Sequence, residues 1–181
     1  MTSPIVSLEL VFDDDTDAAV RAEWDALAAA DLPSQARHTG ASNRPHTTLA
    51  VRPSIGGMDA APLEALLPVA VTLGAPVLFG GARHRVVARL VVPSAELLAL
   101  HAAVHRAAGK GEDLDHTLPG AWTPHVTLAR RVPVERVGEA LTALAEHGAG
   151  DIAGHAVGIR RWDARAREIS TVAGRGTLDP C

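Results

Sequence analysis

One six-residue pattern occurs twice in this chain, as Pro45-His46-Thr47-Thr48-Leu49-Ala50 and as Pro124-His125-Val126-Thr127-Leu128-Ala129. Five of the six positions agree, and of nine histidines only these two have Thr two residues later. On a β-strand, residues i and i+2 point to the same side. Each histidine therefore shares a face with its own threonine, Thr48 or Thr127. Thr47 and Leu49, like Val126 and Leu128, turn to the opposite face and can anchor the strand in a core.

Two imidazoles and two hydroxyls brought around one ligand suit displacement at phosphorus. Such a reaction needs a base to activate the attacking oxygen and an acid to protonate the leaving oxygen. Imidazole can do either, because its unperturbed pKa lies near neutrality. Threonine hydroxyls can donate to the non-bridging phosphate oxygens as their charge shifts. No Asp or Glu lies within either motif to hold a metal, so neither a metal nor another cofactor is expected.

The elements around the motifs must supply that juxtaposition. Ile5–Phe12 alternates and is rich in β-formers, so it is expected to be a strand. The acidic run Asp13–Asp15, with Asp17, suits a helix start, and Val20, Trp24 and Leu27 give that helix one apolar face up to about Ala30. Pro45–Val51 is a short strand, and a modest helix over Ala60–Leu67 is expected behind Asp59 as its cap. Val69–Phe79 and Arg85–Val92 form two strands joined through Gly80-Gly81, and Ser94 caps a helix over Ala95–Ala108. Gly109–Gly120 has the composition of a loop. His125–Arg130 is a strand, followed by an amphipathic helix carrying Val134, Val137, Leu141 and Leu144. Ala156–Trp162 and Glu168–Ala173 close the chain as a hairpin. The order β-α-β-α-β-β-α-β-α-β-β lacks the regular spacing of a parallel sheet. An α+β fold follows, with two similar lobes, each an antiparallel sheet with helices on one face. No linker divides the 181 residues into separate domains.

The paired motifs resemble those of the 2H phosphoesterase superfamily, in particular its LigT-like branch of 2′-5′ RNA ligases and RNA 2′,3′-cyclic phosphodiesterases. The likeness runs through the opening strand and helix, the first motif, the central strands, the stretch Trp122-Thr123-Pro124-His125-Val126-Thr127-Leu128-Ala129-Arg130 and the closing hairpin. It implies a bilobal fold with the two motifs facing each other across a cleft. It also implies opening of 2′,3′-cyclic phosphates at RNA ends or nucleotides, or reversible joining of 2′-5′ linkages. By that pattern His46 and His125 are catalytic, as general acid and general base in cyclic-phosphate hydrolysis, and Thr48 and Thr127 bind phosphate. Arg130 is a further substrate-binding candidate. Strict alternation from His125 would send it to the wrong face, so a bulge or strand end must redirect it. Arg44 and Arg52, which flank the first motif, are weaker candidates.

Composition sets the bounds. A net charge of −4, with 47% apolar residues, describes a folded chain and argues against broad capture of duplex nucleic acid. There is no Tyr and only Phe12 and Phe79, so base-stacking groups are scarce. Trp122 is the candidate for stacking on a base, against a place at a strand edge or in the core. Two other readings use the same cleft: a module that binds a nucleotide or RNA end without turnover, and the same chemistry on a non-RNA cyclic phosphate. The single Cys181 allows no internal disulfide and reads as a free thiol on the tail. The first residues lack a basic segment followed by a long apolar one, and no membrane span is visible, so a cytoplasmic monomer is expected. His101 and His105, at i and i+4 on a helix, have a spacing that can bind metal, although the H-E-x-x-H pattern is missing. Arg160, Arg161, Arg165, Arg167 and Arg175 form either a basic lip or a solvated surface.

Overall fold

A computed structural model describes residues 5–40, 42–148 and 150–175; Cys181 lies outside them. The chain opens with β1 (Val6–Phe12), α1 (Asp14–Ala29) and β2 (His46–Arg52). The four-residue α2 (Ala61–Glu64) precedes β3 (Val69–Phe79), β4 (His84–Val91) and α3 (Ala95–Ala108). β5 (His125–Pro133), α4 (Val137–Gly148), β6 (Ile152–Asp163) and β7 (Glu168–Gly174) complete it. Every strand pairing is antiparallel.

Two four-stranded halves share one strand. β6 is long enough to serve both: Ile152–Ala156 pairs with β3, and Ala156–Asp163 pairs with β1. One half runs β7-β6-β1-β2 and the other β6-β3-β4-β5, so each carries a motif strand at its inner edge. These two edges meet at a single pair, Thr47 with Val126, and then diverge. The bilobal antiparallel α+β arrangement is thus the observed one, with the lobes fused along a common strand.

The caps follow the sequence. The Asp13 carboxylate accepts from Thr16 N at 2.9 Å and the Ser94 hydroxyl from Leu97 N at 3.2 Å, each relieving an orphan donor at a helix start. The helix expected over Ala60–Leu67 forms only as Ala61–Glu64. Asp59 still accepts from Ala61 N, at 3.1 Å, but Pro68 disfavours helical geometry at the residue before it and so cuts the helix short. β6 begins four residues earlier than the expected Ala156, so His155 sits within the strand, its Nδ1 3.3 Å from Asp13 Oδ2.

The helices cross over. α1, which follows β1, packs against β5 and α4 of the other half, while α3 packs against β2. Val20, Trp24 and Leu27 of α1 and Leu97, Leu100 and Val104 of α3 join Leu8, Leu10, Leu49 and Leu128 in one core. At roughly 1.5–3 kcal/mol for each large apolar side chain fully buried, this core is what fixes the two motif strands relative to each other.

Candidate active site

Each motif strand carries a bulge at the same place. Glu9 of β1 pairs with Thr48 but Leu8 with Ala50, so β2 holds one extra residue around Leu49. In the other half Ala88 pairs with Thr127 and Val87 with Ala129, leaving one extra residue around Leu128. The bulge inverts the alternation. Leu49 and Ala50 are both buried, as are Leu128 and Ala129, which gives the Leu-Ala of the repeat its physical meaning. Beyond the bulge, Val51 and Arg130 return to the face of the histidines. A second irregularity follows in β5, where Arg131 takes a left-handed φ of 58°. The redirection that Arg130 required is therefore present.

Arg130, Thr48 and Val51 line both of two adjoining cavities, of about 570 and 440 Å³, which together form one cleft. His125 and Thr127 lie in the larger, with Phe79, Val86, His116 and Trp122. His46 lies in the smaller, with Ser7, Glu9, His38 and Arg160. The six sequence candidates (His46, Thr48, Trp122, His125, Thr127 and Arg130) thus come together.

The two imidazoles are held in the same way. His46 Nδ1 is 2.6 Å from the carbonyl of Arg44, and His125 Nδ1 is 2.7 Å from that of Thr123. A carbonyl only accepts, so each Nδ1 carries the hydrogen, and in the neutral ring Nε2 keeps its lone pair. That leaves each Nε2 able to take a proton or, once charged, to give one.

Their surroundings differ. The Phe79 ring lies tilted against His125, with centroids 4.5 Å apart. Burial pushes the His125 pKa below its ordinary value; the Thr123 carbonyl opposes this, while His46, His116 and Arg130 add to it through like charge. His46 Nε2 instead faces the Glu9 carboxylate, with Oε1 at 3.8 Å.

A sequence model of the 2′-5′ RNA ligase superfamily matches residues 59–165, more than half of the chain. The chain belongs to this superfamily. The match takes in the second motif, while the first lies ahead of it. Among solved structures, Usb1 of Kluyveromyces marxianus aligns at 12% identity over 94% of this chain and 98% of that one, with a TM-score of 0.48. A structure of the same protein with uridine monophosphate aligns at 12% identity over 95% and 99%, with a TM-score of 0.50. The second of these supports likeness of fold. The comparison with curated proteins returned no match.

In this superfamily member the diverging inner edges leave strand carbonyls without ladder partners, and side chains from the crossed-over elements satisfy them. Trp122 Nε1 donates to the Thr48 carbonyl at 2.8 Å, and Trp24 Nε1 donates to the Thr127 carbonyl at 3.1 Å. Each motif threonine is thus fixed by an indole. One face of Trp122 is also covered by His101, whose ring is parallel at 3.9 Å. His101 Nε2 is 3.0 Å from both the Leu49 and Thr117 carbonyls, and His105 Nε2 is 3.1 Å from that of Leu49. The i, i+4 histidine pair is therefore occupied in bracing the first motif strand.

Burial lowers the His101 pKa from 6.5 to about 4, with the neighbouring His105 adding to the effect. The folded state thus refuses a proton that the unfolded chain accepts. The stability that His101 contributes by staying neutral is fully present above pH 6.5 and is lost as pH falls toward about 4. Urea unfolding at a series of pH values is expected to show this loss, and a His101→Gln variant should show a weaker pH dependence across the same window.

The flanking arginines are structural. Arg52 pairs with Asp113 at 2.8 Å and donates to the carbonyls of Ala108 and Gly109 at the end of α3. Arg44 pairs with Asp17 at 2.9 Å. Arg160 departs from both expectations for the hairpin cluster: it is neither lip nor solvated surface but buried, against Glu9. Sequence reasoning passed over Glu9, Phe79 and Trp24. Glu9 did leave a signal, as the one carboxylate in a strand whose other residues are apolar but for Ser7.

Proposed function

We propose that this protein is a phosphodiesterase that opens 2′,3′-cyclic phosphates of nucleotides or RNA ends through His46 and His125, without a metal. The observation that carries this reading is the matched clamping of both Nδ1 atoms by backbone carbonyls, which leaves both Nε2 atoms for one cleft. His125, its pKa lowered, takes a proton from water through Nε2. The water oxygen bonds to phosphorus as the bond to one ribose oxygen breaks, and His46 Nε2 protonates that leaving oxygen. Proton exchange with solvent resets both rings. Thr48 and Thr127 donate to the non-bridging oxygens, and Arg130 offsets the phosphate charge. The larger cavity, walled by Phe79, Val86 and Trp122, takes the base. A nucleotide also matches what the fold neighbour Usb1 was solved with.

The test is a screen of 2′,3′-cyclic nucleotides, 2′-5′-linked dinucleotides and ADP-ribose cyclic phosphate, run with EDTA present. Turnover of the cyclic nucleotides that survives chelation is the expected result. Activity lost to EDTA and restored by a divalent ion would overturn the metal-free mechanism. Tight binding of a 2′-nucleotide with no turnover would instead mark the cleft as a binding module. Turnover confined to the sugar-nucleotide compound would move the substrate away from RNA.

A further inference from the structure

The two halves match in backbone but not in charge. Glu9 stands opposite Thr48, and Ala88 stands opposite Thr127, at corresponding positions beside the two bulges. On the other flank Glu9 is paired with Arg160 of β6, and Ala88 with Val77 of β3. One half thus carries a buried ion pair where the other carries Ala and Val.

We infer that Glu9, held by Arg160, is a positioning residue whose carboxylate, set against His46 Nε2, makes His46 the acid of the pair. The inference rests on the phosphodiesterase reading above. Arg160 Nε lies 2.8 Å and Nη2 2.7 Å from Glu9 Oε2, so the cation occupies one carboxylate oxygen. The other oxygen, Oε1, accepts from the Ser7 hydroxyl at 2.7 Å and is the one turned to His46 Nε2. The negative end of the pair therefore faces the imidazole. The other groups facing His46 are Arg160 from β6, His125 and Arg130 from β5, and His38 from the loop before β2. Glu9 is the anion among them. Arg44 offers His46 only its carbonyl, because its guanidinium turns to Asp17. On the other side, burial opposes charge on His125 and Arg130 adds to the effect, which suits it to begin the reaction unprotonated.

The step itself is a proton transfer. The hydrogen on His46 Nε2 passes to the departing ribose oxygen, and the neutral ring, facing Glu9, regains a proton from solvent. The experiment is the pH profile of kcat/KM on a nucleoside 2′,3′-cyclic phosphate for the wild type, Glu9→Gln and the double variant Glu9→Ala with Arg160→Val. The double variant reproduces the pair of the other half and removes both buried charges, so it guards against misfolding of the single variant. Removing the anion is expected to move the alkaline limb down by about one pH unit in Glu9→Gln, which leaves the Arg160 cation beside His46, and by less in the double variant, which removes both charges, with the acidic limb in place. Above neutral pH, kcat of Glu9→Gln should fall about tenfold while KM changes less than about twofold. An even loss at every pH, as a merely structural role would give, overturns the inference, as does movement of the acidic limb instead. A wild-type protein inactive on every cyclic phosphodiester would sink the phosphodiesterase reading and this role together, and that outcome is distinct from an active wild type with unshifted variants.

Discussion

Replacing His46 or His125 with Ala is expected to lower kcat on a 2′,3′-cyclic nucleotide by about 10²–10⁴-fold, the usual contribution of a placed acid or base. The two losses should not multiply in the double variant, because acid and base act in one transition state. Steady-state rates at saturating substrate test this, with thermal melting to show that each variant is folded. A variant that melts normally and turns over at the wild-type rate would remove that histidine from the mechanism. The wild-type pH profile carries a further sign. A base is active when unprotonated, and burial holds the His125 pKa below 6.5. The acidic limb of kcat/KM should accordingly lie below that value.

The largest expected loss of stability lies away from the cleft, at Glu23 and Arg89. Both are buried, and Arg89 Nε lies 3.0 Å from Glu23 Oε1 while Nη1 donates to the Gly74 carbonyl at 2.9 Å. This pair ties α1 to β4 and so joins elements that belong to different halves. Glu23→Ala strands a guanidinium out of reach of water and is expected to cost about 3–5 kcal/mol. Adding Arg89→Met should restore most of that, since an apolar replacement removes the unpaired charge rather than isolating it. Urea denaturation of the wild type, the single and the double variant measures both effects. A double variant no more stable than the single would show that the carbonyl contacts of Arg89, not its charge, hold the join.

The sequence made the active face legible because its chemistry is written locally. His and Thr two residues apart share a face on any strand, and duplication of the unit pointed to both strands at once. The Ser94 cap, the acidic start of α1 and the spans of β3 and α3 were readable for the same reason. Other features depend on partners far along the chain. The Arg160 side chain is decided by a carboxylate 151 residues away, and nothing in Gly-Ile-Arg-Arg-Trp marks which arginine turns inward. The role of Trp24 in securing the Thr127 carbonyl likewise follows from α1 crossing to the other half. Its i, i+4, i+7 pattern could show only that it faces a core. The bulges lay between these extremes: Arg130 required one, but its place at Leu128 follows from the register against β4.

The sharing of β6 has a consequence for how such a protein can arise and be taken apart. The repeated motif looks like the trace of a duplication, two copies of a small unit laid end to end. In space the copies are interlocked, because the first half is finished by strands from the end of the chain. A fragment ending at Gly80-Gly81 would hold β1, β2 and β3 and lack β6, the strand that pairs with both β1 and β3. Neither copy could then have been a complete ancestor by itself in this arrangement. Two fragments cut there would have to exchange strands to rebuild either half, as the protomers of a swapped dimer do.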